Sequence, residues 1–220
     1  MPSFPIVDSH VHLYDPTFLT YGWLKSVPKI DRRYDLGDFD RCRGPVQVDK
    51  IVFAEVAVDR GLHFAEAAWV QDLADKDSRL AGMIAHAPME KGTAVAADLD
   101  RLAENRILRG IRRLIEVESN YAFCLQPDFI EALNLLPARK LTFDICVKHW
   151  GVVFAIELAR RCRARRLVLF HHDPTHDDDW ICGTVSRIQR EAGPHLQVIG
   201  AQERMRLSSF ACRPAVEPCG

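Results

Sequence analysis

The 220-residue chain carries a formal net charge of −1, and 48% of its residues are hydrophobic. That balance argues against a nucleic-acid or membrane-surface partner recruited by bulk charge, and no apolar run reaches the ~20 residues needed to cross a bilayer. The seven cysteines are odd in number, scattered and nowhere spaced Cys-x-x-Cys, and no signal peptide is visible. Reduced thiols in a soluble cytoplasmic protein are the expectation. The length suits one large domain, expected over residues 1–206, with 207–220 as a disordered tail because they show no periodicity.

In chain order, the apolar run from Phe4 to Val7 reads as a strand that delivers His10 and His12 at its carboxyl end. Alternate residues of a strand share a face, so both imidazoles can address one point. Further apolar, β-branched runs begin near Ile51, Leu80, Gly110, Leu141, Leu167 and Leu196, recurring every 25–32 residues or so, about the size of a strand–helix unit. Helical spacing fills the intervals. Leu62, Ala65, Trp69 and Leu73 form one face; Val95, Leu99 and Leu102 form another, with Thr93 as N-cap. Pro127 opens a third helix through Phe129, Leu133 and Leu136, Val153 to Arg163 is a fourth, and Asp177-Asp178-Asp179 starts a fifth. The basic run from Arg160 to Arg166 reads as a solvated helix end.

Alternating strands and helices imply a parallel sheet. The leading expectation is an α/β fold of the (β/α)8 TIM-barrel type, incomplete at six to seven units because a full barrel takes about 250 residues. The alternative is an open doubly wound sheet. Glu55, His86, Arg112 or Arg113, His149 and His171 each fall at or just past the carboxyl end of a predicted strand, the face where such folds carry chemistry. His63 and His195 read as surface residues.

Several blocks together resemble the amidohydrolase-related (amidohydrolase 2) family of barrel hydrolases, in particular its sugar-lactonase branch. They are Val7 to Pro16, Tyr21-Gly22-Trp23-Leu24, Val52-Phe53-Ala54-Glu55, Glu66 to Val70, Arg109 to Arg113, Phe123-Cys124-Leu125 and Leu141 to Trp150. Beyond Arg166 the pattern departs: Phe170 stands where the family has an aspartate, and the family's late Gly-Ser-Asp-Trp-like motif is absent. The stretch from Leu167 to Asp179 is instead similar to the closing segment of metallo-β-lactamase-fold hydrolases, which suggests a hybrid or frame-shifted end.

The resemblance implies hydrolysis of a small sugar lactone by attack of water on the ring carbonyl. His10, His12 and Glu55 would ligate one divalent ion, zinc or manganese, with metal-free catalysis the alternative. His149, His171 and Arg112 would be catalytic, and Arg113, Glu55 and Trp23 would bind substrate. Either arginine can instead make a buried structural ion pair. The family's general base is missing; Asp173 or Asp177 can substitute, although a helix start explains Asp177 more simply, and His172 and His176 read as loop residues ahead of extra ligands. Two other readings compete: a truncated barrel remnant that binds ligand without turnover, its open edges covered by homo-oligomerisation, and a decarboxylase or other metal-dependent hydrolase of the same superfamily.

Overall fold

A computed structural model describes residues 4–148, 151–172 and 175–201. The chain divides into two compact units, residues 1–151 and 152–220. In the first, β1 (Val7–Val11), α1 (Leu36–Cys42), β2 (Lys50–Ala54), α2 (His63–Lys76), β3 (Leu80–His86), α3 (Ala96–Leu102), β4 (Leu108–Leu114), α4 (Pro127–Leu133) and β5 (Thr142–Cys146) alternate. The strands form one five-stranded sheet in the order β1-β2-β3-β4-β5, parallel at every pairing.

That order excludes the doubly wound alternative for this unit. A doubly wound sheet reverses its strand order at a switch point, whereas here each strand is added on the same side as the last. Right-handed crossovers then place every helix on one face of the sheet, and the sheet curls as part of a barrel. The curl is visible in side chains. β1 and β4 are three strand spacings apart, roughly 14 Å across a flat sheet, yet Arg112 Nη1 of β4 lies 3.2 Å from His10 Nε2 of β1.

Burial explains why these segments became strands. Ile51 and Phe53 of β2, Leu80 and Met83 of β3 and Ile111 of β4 are at most 1% exposed, as expected of strands covered on both faces. Gly110 marks the tightest strand contact: a Cβ there would run into Thr142 Oγ1 and lie 2.9 Å from Ile84 Cδ1. Gly110→Ala is expected to cost about 1–3 kcal/mol by overpacking, read as a lower urea midpoint. An unchanged midpoint would mean that β5 yields freely.

Three details differ from the sequence expectation. The first strand starts at Val7, not Phe4, so that His10 lies within it and His12 just beyond. The deepest face of α2 is His63, Glu66, Ala67 and Val70, not Leu62, Ala65, Trp69 and Leu73. It still follows the i, i+3, i+4, i+7 rule, but it is rotated by about one residue, with Ala67 and Val70 at most 1% exposed. His63 is accordingly buried at 8% exposure, against the surface position expected. Thr93 caps nothing: it lies inside a 3-10 segment, Met89–Val95, and α3 starts from Val95 without a side-chain cap. Pro127 does open α4 as expected.

The second unit holds α5 (Val152–Arg161), β6 (Arg166–Leu169), α6 (Asp178–Ala192) and β7 (Gln197–Gly200), with β6 and β7 parallel. Its core gathers Ile156, Ala159, Ile188, Ala192, Leu196 and Val198. Asp177 caps α6, its Oδ1 accepting the Trp180 N–H at 2.8 Å. Asp177→Ala is expected to lower stability by about 1 kcal/mol, while Asp177→Asn keeps the cap; a thermal melt compares them. Loss of activity in the asparagine variant would assign this carboxylate chemistry instead. Arg160 Nε donates to the Ala192 carbonyl at 3.2 Å, so the basic run serves a helix C-terminus. No helix among the described residues is long and apolar enough to cross a membrane. His149, Asp173 and the tail 207–220 lie outside the described residues.

Candidate active site

β1 carries His10 next to its carboxyl end, and His12 follows the strand. Their Nε2 atoms are 3.2 Å apart. His12 Nδ1 lies 2.9 Å from the Ala54 carbonyl; a carbonyl only accepts, so Nδ1 carries a proton, and in the neutral ring Nε2 is then the acceptor. Arg112 Nη1 lies 3.2 Å from His10 Nε2. Guanidinium only donates, so this nitrogen also accepts. Two acceptor nitrogens turned on one another at this distance call for a shared positive charge, a proton or a metal ion. Two nitrogens on one tetrahedral zinc, with bonds of about 2.0–2.1 Å, would stand about 3.3–3.4 Å apart. The backbone carbonyl behind His12 is the usual second partner that fixes a metal-bound imidazole.

Glu55 follows β2 and is 2% exposed. Ala57 takes up left-handed backbone, φ 52°, and its N–H turns back to donate to Glu55 Oε2 at 2.7 Å. Oε1 has no hydrogen-bond partner among the described residues, and Arg112 Nε stands 3.8 Å from it. Burial raises the Glu55 pKa, against the pull of the Ala57 N–H and the Arg112 and Arg113 charges. A carboxyl raised in this way is suited to proton transfer nearer neutral pH. Among the described residues no third His, Cys, Asp or Glu joins the two imidazoles as a ligand cluster, and Glu55, expected as that ligand, does not complete one.

The two arginines part company. Arg112, 7% exposed, serves His10 and Glu55. Arg113 is occupied by carboxylates: Glu118 Oε1 at 2.6 Å and Glu90 Oε2 at 3.2 Å. It also lies over the Phe123 ring, with its guanidinium carbon 5.0 Å from the centroid. Trp23 is pinned by its indole N–H, which donates to the Val56 carbonyl at 2.9 Å. His171 belongs to the second unit, two residues past β6, with φ 58°.

Sequence reasoning passed over several groups. Asp144 and Cys146 of β5 sit beside β4, Asp144 opposite Arg112 in register; burial raises both pKa values, offset by Arg112. A carboxylate inside an otherwise apolar strand was the available signal. Glu66, 1% exposed, has an unpartnered Oε1 among the described residues. Burial, then the neighbouring Glu55 charge, pushes its pKa up to about 8. It opens one of the blocks that carry the family resemblance, but helical spacing alone gave it no role.

Above β2, β3 and β4 a cavity of about 400 Å³ is lined in part by Glu55, His63, His86, Glu90, Arg113 and Glu118. His63 and His86 meet edge to face, centroids 5.6 Å apart. Burial, with the Arg113 charge second, drives His86 down to about 4, and burial also lowers His63.

A family model described as amidohydrolase matches residues 7–198, taking in β6, α6 and the first half of β7 and so including the stretch from Leu167 to Asp179 that resembles another fold. The uncharacterized protein y4mH of Sinorhizobium fredii is 25% identical over 202 residues, 82% of this chain and 68% of that protein. An amidohydrolase from Burkholderia multivorans with bound zinc matches at a TM-score of 0.67 and 23% identity, over 89% of this chain and 69% of that one. A probable 2-pyrone-4,6-dicarboxylic acid hydrolase from Acinetobacter baumannii, with citric acid bound, matches at 0.59 and 13% identity, over 91% and 74%. These likenesses show a shared barrel-type fold.

Proposed function

This chain belongs to the amidohydrolase family over residues 7–198, a family of hydrolases, and from that premise we propose that it opens a small sugar lactone by attack of water on the ring carbonyl. The observation that carries the reading is the convergence of His10, His12, Glu55 and Arg112 at the carboxyl ends of β1, β2 and β4. His10 and His12 would hold a divalent ion. Such an ion polarises a carbonyl and lowers the pKa of bound water.

The protein's own groups supply the rest. Arg112 brings a buried guanidinium to the site, suited to stabilising the negative charge that develops on a carbonyl oxygen under attack. Glu55, raised by burial and with one oxygen unpartnered among the described residues, would take a proton from water and return it to the ring oxygen as it leaves. In this reading the base is the carboxylate that follows β2.

The test is hydrolysis of a panel of sugar lactones by the purified chain, followed with a pH-sensitive dye, with and without added zinc or manganese. Turnover is expected. A cooperatively folded sample that turns over no lactone under any metal condition would favour the reading of an inactive, ligand-binding member.

A further inference from the structure

The cavity above β2, β3 and β4 is separate in its walls from the imidazole pair yet shares Glu55 with the site just described. We infer that this cavity receives the hydroxylated body of a neutral, monosaccharide-sized ligand, an inference that rests on the lactone reading above. Its volume of about 400 Å³ lies in the roughly 300–1,000 Å³ range of small-molecule sites.

The chemistry of its walls selects the class. His63 is buried, and its Nε2 has no hydrogen-bond partner among the described residues. His63 and His86 both line the cavity, so the imidazoles put polar groups into its wall, and an apolar occupant would strip them of water, at a cost. His63 and His86 are both held neutral, and a neutral imidazole offers one donor and one acceptor, the complement of a hydroxyl that is both. The charged groups argue against an anion. Arg113, the buried cation of the wall, is already engaged by Glu90 and Glu118, and Lys91 by Asp98, so a ligand carboxylate would meet Glu55, Asp59, Glu90 and Glu118 with Arg60 alone to offset them. Those same carboxylates accept hydrogen bonds from hydroxyls. Arg60, exposed at the rim, adds donors. Because Glu55 borders both spaces, a ring ester at the imidazole pair could extend its hydroxyls into this cavity.

The experiment is an NMR titration of the full chain labelled with ¹⁵N-histidine, using D-galactose as the neutral arm and D-galactonate and citrate as the anionic arms. His63→Phe and His86→Phe assign the two imidazole signals. D-Galactose is expected to shift both signals, with apparent affinity at least tenfold weaker in His86→Phe and several-fold weaker in Arg60→Ala, whose exposed site keeps the fold intact. Shifts with D-galactonate or citrate but not D-galactose would overturn the inference in favour of an anion site. No shift with any of the three would overturn it outright. Lactone hydrolysis measured on the same sample separates the two readings: turnover without galactose shifts removes this inference alone, and galactose shifts without turnover remove only the hydrolytic one.

Discussion

Replacing His10 and His12 together by alanine is expected to reduce lactone hydrolysis by roughly 10³-fold, within the 10²–10⁴ range attributed to a single positioned acid–base group and with loss of added-metal dependence. The two Nε2 atoms meet at 3.2 Å, and neither can be removed without consequence for its neighbour. His10→Ala takes away the acceptor of Arg112 Nη1, releasing a guanidinium that now stands beside Glu55. His12→Ala takes away the donor to the Ala54 carbonyl at the end of β2. Each single variant should therefore lose most of what the double variant loses, since groups that act as a unit are non-additive. Stability should change little, because His12 is exposed and His10 half-buried. The check is turnover beside a urea melt; full activity in a folded double variant would move the chemistry away from β1.

The second large effect is on stability against pH, at Glu66. Its folded-state pKa is pushed to about 8 from an ordinary 4.5, first by burial and then by Glu55. Below the lower value both folded and unfolded chains keep the proton, and the group contributes no slope. Between the two values the folded chain binds the proton that the unfolded chain has released, so stability falls as pH rises, by about 1.4 kcal/mol per pH unit. By neutral pH the loss is on the order of 3 kcal/mol. Glu66→Gln abolishes the slope whatever constant cost the amide brings. The stability of the variant relative to the parent should therefore rise steadily from about pH 5 to 8 in urea titrations. A difference that stays flat over this range would show that Glu66 ionises freely in the fold.

Tyr21 belongs to the same neighbourhood. Its hydroxyl is buried without a partner among the described residues, and burial and then Glu66 drive its pKa upward. A buried phenol and a buried carboxyl close together fit an unionised Glu66, which keeps charge out of a region that already holds Glu55.

The positions of the strands were legible because burial on both faces demands continuous apolar runs, and six of the seven predicted starts fall within two residues of the observed strands. Helix faces were less legible. In α2 the apolar residues Leu62, Ala65, Trp69 and Leu73 suggested one orientation, but His63 and Glu66 occupy the deepest face. Leu62, Ala65, Trp69 and Leu73 are themselves partly buried, so the two faces differ by about one residue of rotation and periodicity alone could not choose. Residues 149 and 150 lie outside the described set, so the proton-transfer role expected of His149 stands as a proposal.

What the sequence by itself determined is the set of strand-end polar residues, including His10, His12, Glu55 and Arg112, because strand alternation and the carboxyl-end rule are local and one-dimensional. Which arginine serves the imidazoles was decided only in three dimensions. Arg112 and Arg113 are adjacent in sequence and alike in chemistry. The curl of the sheet brings the first to His10 on β1, while Glu90 of the 3-10 segment after β3 and Glu118 of the loop after β4 claim the second. Tertiary burial likewise sets the proton affinities of Glu55, Glu66, His63 and His86. Desolvation depends on what surrounds a group, and no spacing along the chain encodes that.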